Sequence, residues 1–476
     1  MDGLIIDDLL FVTIWTLFVD SLPFFSRYSS LNFAPLKLKV SMLMSKKIFL
    51  PFWVGVLFLG SIQSSFAQSE QGIVKLTVEE LFDLVLANNP SLKVQQVNIE
   101  VAEQGVKVAK NNYLPNATVS LSAFYLGDIN LFSPDLETQI KQDLPNFGNA
   151  FGVEVNQLLW KGGQVQETVR LSRIQEEIAH LQYSSSEQQA KLAALGYYLD
   201  LYKLINQARV FSINIELANQ RLENISAMSK QGMIAPNDLI RAELQISNLR
   251  LMKQVVDNNI LILNKQLNAA IGLPSDVIVI PDESTNKRKF VLGATDEYKQ
   301  TAYASNPLLQ LTQKSVDIQN SLYKIARKNY YPSLAFFAGN NLNRPVTSGT
   351  PVDMYYNAWN AGIALKYDIA SLWKNPRVVA QRKFEVSKAE AQKLEAEVMI
   401  GVAVDAAIIK HNEAISQNVV LAKNKQLADE NYRIMENKYN NQLVIILDLL
   451  DASNAKLDAE LQFANTEVNI IFAYYK

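Results

Sequence analysis

Two carboxylates, Asp448 and Asp451, stand three residues apart in the run Leu-Asp-Leu-Leu-Asp-Ala from Leu447 to Ala452. That spacing puts both on one face of a helix. Acids so placed attract cations and repel anions. A plainer role is also open, since acids in a first turn favour the helix N-terminus. Other chemistry is sparse. His180 and His411, the only histidines, each lie alone in a polar helical stretch without the partners that a zinc or catalytic site needs. Both are therefore read as surface residues. No cysteine occurs, which excludes disulfides, thiolate metal sites and a lipid-modified N-terminal cysteine. No nucleophile, base and orienting group cluster in the chain, so an envelope enzyme is the weaker reading, and no catalytic, cofactor or metal site is expected.

The balance of residues narrows the classes further. A net charge of -2 with 19% charged residues gives no electrostatic bias toward nucleic acid or an anionic membrane surface. Residues 44–67, MSKKIFLPFWVGVLFLGSIQSSFA, place Lys46 and Lys47 before an apolar stretch from Ile48 to Leu59 and end on small residues at Ser65 and Ala67. That is the layout of a cleaved secretory signal. Residues 1–43 do not fit it, because Asp2, Asp7 and Asp8 put negative charge where a signal carries positive charge. They read as an extension ahead of a start at Met42 or Met44; a membrane anchor at residues 9–25 is the weaker alternative, interrupted by Asp20 and Pro23. After the signal no run of about 20 apolar residues occurs, so no transmembrane helix is expected.

The elements that must position the acids come in two copies. Ala87-Asn88-Asn89-Pro90 recurs as Ala304-Ser305-Asn306-Pro307, and Ala109 to Pro115 recurs as Ala326 to Pro332, both at an offset of 217 residues. Leu159-Trp160-Lys161 recurs as Leu372-Trp373-Lys374 at 213, and Asp238 with Ala242 recurs as Asp448 with Ala452 at 210. The drift implies loops of slightly different length in an unchanged order. The first repeat covers 76–271, a linker 272–295, and the second repeat 296–473.

Each repeat opens with helix. In the first, Thr77 and Glu80 form a capping box ahead of Leu81, Leu84 and Val85. At the Tyr-x-Pro motifs the residue before proline leaves the helical region, so Leu114 and Tyr331 mark switches to extended chain. There the period becomes two. Ala117, Val119, Leu121, Ala123 and Tyr125 oppose Thr118, Ser120 and Ser122, and the same alternation returns over 151–160, 334–342 and 359–369. Four strands of about ten residues, apolar on one face, fit a transmembrane β-barrel. Hairpins 117–160 and 334–369 leave polar outward loops at 127–150 and 344–357. Trp160, Trp373, Tyr113, Tyr330 and Tyr331 sit at the opposite strand ends, where an aromatic girdle meets the membrane interface. A soluble β-sandwich with those aromatics in its core is the alternative.

Long helices follow each hairpin. No proline occurs from Gly163 to Lys230 or from Arg377 onward. Ala208, Phe211, Ile215, Ala218, Leu222 and Ile225 step by three and four, the spacing of a coiled-coil seam. The chain turns at 231–236 and at 440–442 and returns as helices over about 237–271 and 447–473, with Gly272 and Pro274 ending the first return.

Four strands cannot close a barrel, since the smallest have about eight and an open edge in lipid leaves backbone groups unpaired. Several chains must share one. Strands, long hairpin helices, a signal and a duplicated half, with the Asn-Pro, Tyr-x-Pro and Leu-Asp-Leu-Leu-Asp-Ala motifs, together resemble the TolC-type outer-membrane efflux proteins over residues 76–473. The resemblance implies an α+β membrane protein in the outer membrane. It implies a homotrimer whose three chains build a 12-stranded β-barrel continuous with a periplasmic helical barrel. It also implies a passive export duct served by a periplasmic adaptor (membrane fusion) protein and an inner-membrane RND or ABC transporter. Asp448 and Asp451 match acids that ring the tunnel entrance; Tyr439 and Asp238 match residues that hold related gates shut; Val444 stands where the resembling gate has an arginine. The tip loops around Gly232 and Gln442 would meet the adaptor. A secreted coiled-coil scaffold that never enters lipid is the rival reading.

Overall fold

A computed structural model describes residues 72–137, 139–282, 292–347 and 351–476. The expected signal and the segment before it lie outside the described residues. The chain runs as β1 (Ile73–Leu76), α1 (Val78–Asn88), α2 (Pro90–Lys110), β2 (Asn116–Tyr125), β3 (Ile129–Phe132), β4 (Gln139–Gln142), β5 (Phe147–Trp160), α3 (Gln164–Lys230) and α4 (Pro236–Ile271). It continues as β6 (Ile278–Pro281), α5 (Thr295–Ser305), α6 (Pro307–Lys328), β7 (Ser333–Arg344), β8 (Tyr356–Lys366), α7 (Ser371–Asn440) and α8 (Ile446–Tyr475).

Local chemistry explains the repeated motifs. Thr77 and Glu80 form the expected capping box. Each Asn-Pro motif starts a helix: the Asn89 side chain accepts from the Ser91 amide at 2.9 Å, the Asn306 side chain from the Leu308 amide at 2.9 Å, and proline follows at the first helical position. Both features satisfy or remove amides that a helix start leaves unpaired.

The four main strands form one antiparallel sheet in the order β2-β5-β7-β8, so the two hairpins lie side by side through β5 and β7. Register aligns Leu121, Phe151 and Leu342 across three strands, and Phe336 with Ile363. The same face carries Val119 and Trp359, and these apolar side chains are exposed, with no second sheet over them. The opposite face carries Ser120, Glu154, Asn341 and Asn360. A soluble sandwich would have buried the apolar face. Part of the expected outer loop 127–150 is structured: β3 and β4 pair there as a small separate hairpin, and β5 begins at Phe147.

α3 and α7 have 67 and 70 residues, about 100 Å each at ~1.5 Å per residue. Phe211, Ala218 and Ile225 of the expected seam are buried, the first two against Ile246, Leu249 and Val256 of α4. α7 starts at Ser371, earlier than the proline-free stretch suggests, and contains Pro376. Midway along the helices β1 pairs in parallel with β6, drawing part of the linker against the start of the first repeat. Below them Leu81, Val85, Leu195, Leu267, Ile271 and Ile471 are packed around Tyr198, whose hydroxyl donates to the Leu76 carbonyl and accepts from the Asp282 amide.

One expectation is corrected here. His411 is 1% exposed, with the Tyr474 ring 6.1 Å away, because α8 folds back over that face of α7. No helix among the described residues is long and apolar enough to cross a membrane.

Candidate functional site

Both helical hairpins turn in the same way. After α3 the Met233 amide bonds the Met228 carbonyl at 3.0 Å, and after α7 the Leu443 amide bonds the Lys438 carbonyl at 2.9 Å. This pattern needs a left-handed residue just past each helix, and Gly232 (φ 69) and Gln442 (φ 61) fill it. The repeat offset of 210 carries one onto the other. Only the second repeat puts a side chain on that backbone.

Asp448 and Asp451 lie on the exposed surface of the first turns of α8. The Asp448 carboxylate accepts from the Ile445 amide at 3.3 Å, so it caps its own helix while facing solvent. Asp451 lines a groove of about 800 Å³ between α4 and α8, with Arg241 and Leu244 across from it. The paired acids thus have separate surroundings. Asp238 sits half-buried in the first turn of α4. Tyr439 is 8% exposed, and its hydroxyl has no hydrogen-bond partner. Burial, then the charge of Asp238, pushes that phenol above its usual range. The two are electrostatic neighbours without a bond between them. Val444, in the place of the expected arginine, packs against the cluster of Ile225, Tyr432, Tyr439 and Leu449.

A cation the sequence reading passed over stands close by. Arg221 of α3 is 8% exposed and donates to the Tyr432 hydroxyl at 2.8 Å, to Gln245 at 3.3 Å and to Ser453 at 3.4 Å. Its partners come from α7, α4 and α8, so one guanidinium ties together four helices. Tyr432 in turn donates to Glu436 at 2.6 Å, and Lys456 lies 4.8 Å from its ring centre. Burial and the bond to Glu436 raise the Tyr432 phenol. The signal was present: Arg221 follows Ala218 by three and precedes Ile225 by four, a charged residue on a seam edge.

Comparison with known proteins finds one family and one fold. The outer membrane efflux protein family matches residues 299–473, which is nearly the whole second repeat. Over those residues the chain is similar to the outer membrane efflux proteins. The outer-membrane channel OprN is 14% identical, with a TM-score of 0.65 over 84% of this chain and 88% of its own. The CmeC outer membrane channel of Campylobacter jejuni is 17% identical, with a TM-score of 0.63 over 83% of this chain and 85% of its own. VceC, an outer membrane protein of Vibrio cholerae, is 13% identical, with a TM-score of 0.61 over 83% and 95%. At these identities the likeness is one of fold, and it spans both repeats. No curated protein matches the chain in sequence.

The aromatics gather where strands meet helices. The Trp160 ring packs edge-on against Tyr331, 5.9 Å between centres at 84°. Gly162 (φ 56) makes the approach possible, because a Cβ there would lie 2.6 Å from the Tyr331 ring. Trp373 and Tyr113 are exposed at the same level of the chain, and Tyr330 is half-buried.

Proposed function

We propose that the chain is one of three subunits of a passive duct through the outer membrane, receiving its cargo from an inner-membrane RND or ABC transporter by way of a periplasmic adaptor. The observation that carries this reading is the sheet. It presents an uncovered apolar face, a polar opposite face and two unpaired edges, β2 and β8, and it continues into helices of about 100 Å. Unpaired edges are not tolerated in lipid, and joining β8 of one chain to β2 of the next around a threefold axis removes all of them. The polar face then lines the channel, and the exposed rings of Trp160, Trp373, Tyr113 and Tyr331 mark the inner interface. The matched family and the similar structures are channels, which supports a duct without catalytic activity.

The helical tips form the periplasmic gate in this reading. Asp448 and Asp451 from three chains ring the entrance, and Arg221 takes over the restraint that an arginine at Val444 would supply. Tyr439 and Asp238 stand beside it, and the exposed turns at Gly232 and Gln442 meet the adaptor.

Single-channel recording in planar bilayers tests both levels. The purified protein should form cation-preferring channels that divalent ions block, and Asp448→Ala with Asp451→Ala should weaken both properties. Unchanged selectivity in the double variant would remove the gate assignment; absence of any channel from the folded wild type would remove the duct itself.

A further inference from the structure

We propose that Glu103, Glu176 and His180 form a site for a borderline divalent metal, zinc foremost, that clips α2 to α3 below the first hairpin. The inference rests on residues outside the gate and does not depend on the duct reading. It also corrects the expectation that His180 has no partners. Glu176 and His180 are four apart on α3, so their side chains rise from one face of the helix. Glu103 comes from α2, which packs alongside α3. One ligand atom from each of the three lies within 4.8 Å of the others.

Among the described residues, none of the three makes a hydrogen bond or an ion pair. That is notable chemistry, because Lys107, Lys110 and Arg173 line the same hollow of about 430 Å³. With cations at hand, the two carboxylates are nonetheless turned toward each other and the imidazole. Two like charges so close are unfavourable until a cation sits between them. A hard ion such as magnesium prefers oxygen donors throughout and a near-octahedral cage. One imidazole with two carboxylates is instead a three-ligand set for zinc, leaving open positions for water.

The duplication provides an internal control. At the repeat offsets, Asn320, Ala389 and Lys393 take the places of Glu103, Glu176 and His180. The second repeat therefore keeps the helix pair and lacks the ligands. The clip belongs to one half only, and it would fasten the helices that lead into and out of β2–β5 without touching those around β7–β8.

The test uses the full-length purified protein in detergent, stripped with chelator and free of any affinity tag, titrated calorimetrically with zinc chloride alone. One zinc per chain is expected at pH 7.5. Magnesium should give no comparable signal. His180→Ala and Glu103→Gln should each weaken zinc binding at least tenfold, whereas Asn320→Ala should not change it. Zinc should also raise the melting temperature of the wild type and not that of His180→Ala. Absence of saturable zinc binding, or binding kept at full strength in the His180→Ala, Glu103→Gln double variant with its helical spectrum intact, overturns the proposal.

Discussion

At the scale of single residues, the tip of the molecule contains one side chain bonded to three partners, with only its Nε left unpaired, and one bonded to none. Arg221 holds three partners on three other helices, while the Tyr439 hydroxyl is buried with none. Removing a charged donor from a buried network leaves its acceptors unpaired, whereas removing a lone hydroxyl leaves nothing behind. Arg221→Leu should therefore destabilise the folded protein by about 2 kcal/mol or more, and Tyr439→Phe should be neutral or stabilising by about 1 kcal/mol. Thermal melting in detergent reads this directly. Arg221→Leu should also raise the resting conductance in bilayers, and Tyr439→Phe should not. The reverse pattern would place the restraint at Tyr439 and Asp238. Of this site, Asp448, Asp451, Tyr439 and Asp238 were singled out by the family resemblance. Arg221 showed only its place on the seam edge and not its bonds, because its acceptors lie 24 to 232 residues away in the chain.

Elements were legible where their period was long and uniform. The alternation of β2 and the seam of α3 announced themselves because each keeps one face apolar along its length. The hairpin β3–β4 was missed: four-residue strands such as Gln139–Gln142 are too short and too polar to show a period. His411 was misplaced for a related reason. A 70-residue helix meets different partners along its length, so its local composition does not say which side is covered. The tips offer a test at this scale. Gln442 occupies a left-handed backbone that costs an ordinary residue ~1 kcal/mol or more, and its counterpart Gly232 avoids that cost. Gln442→Gly should stabilise the α7–α8 hairpin by about 1 kcal/mol, and Gly232→Gln should destabilise the α3–α4 hairpin by a similar amount. Slower hydrogen exchange of the second tip's amides in Gln442→Gly would confirm it, and faster exchange would contradict it.

For the whole molecule, what one chain leaves uncovered is the informative part. On α4, Ile240, Leu244, Leu251, Val255 and Ile262 step by four and seven, a second seam, and all are exposed. α7 carries a similar exposed series at Val420, Leu427 and Ile434. In the proposed trimer such seams are covered by helices of neighbouring chains, in step with the open edges of the sheet. Leu251→Lys with Val255→Lys should abolish the trimer in cross-linking and light scattering while leaving the helical signal of the monomer. A trimer of undiminished stability would assign that seam elsewhere.

By itself the sequence determined the two copies, the change of period from helix to strand at Tyr-x-Pro, the capping box at Thr77 and the long helices. Each of these is a local matter, written within a few turns of chain and enforced by backbone sterics and hydrophobic periodicity. Tertiary structure alone decided that the two hairpins join through β5 and β7, that Arg221 bridges four helices, that His411 is buried, and that Glu103 meets His180. Those outcomes depend on which faces of ~100 Å helices come together, and small differences in helix twist accumulated over so many turns set that azimuth.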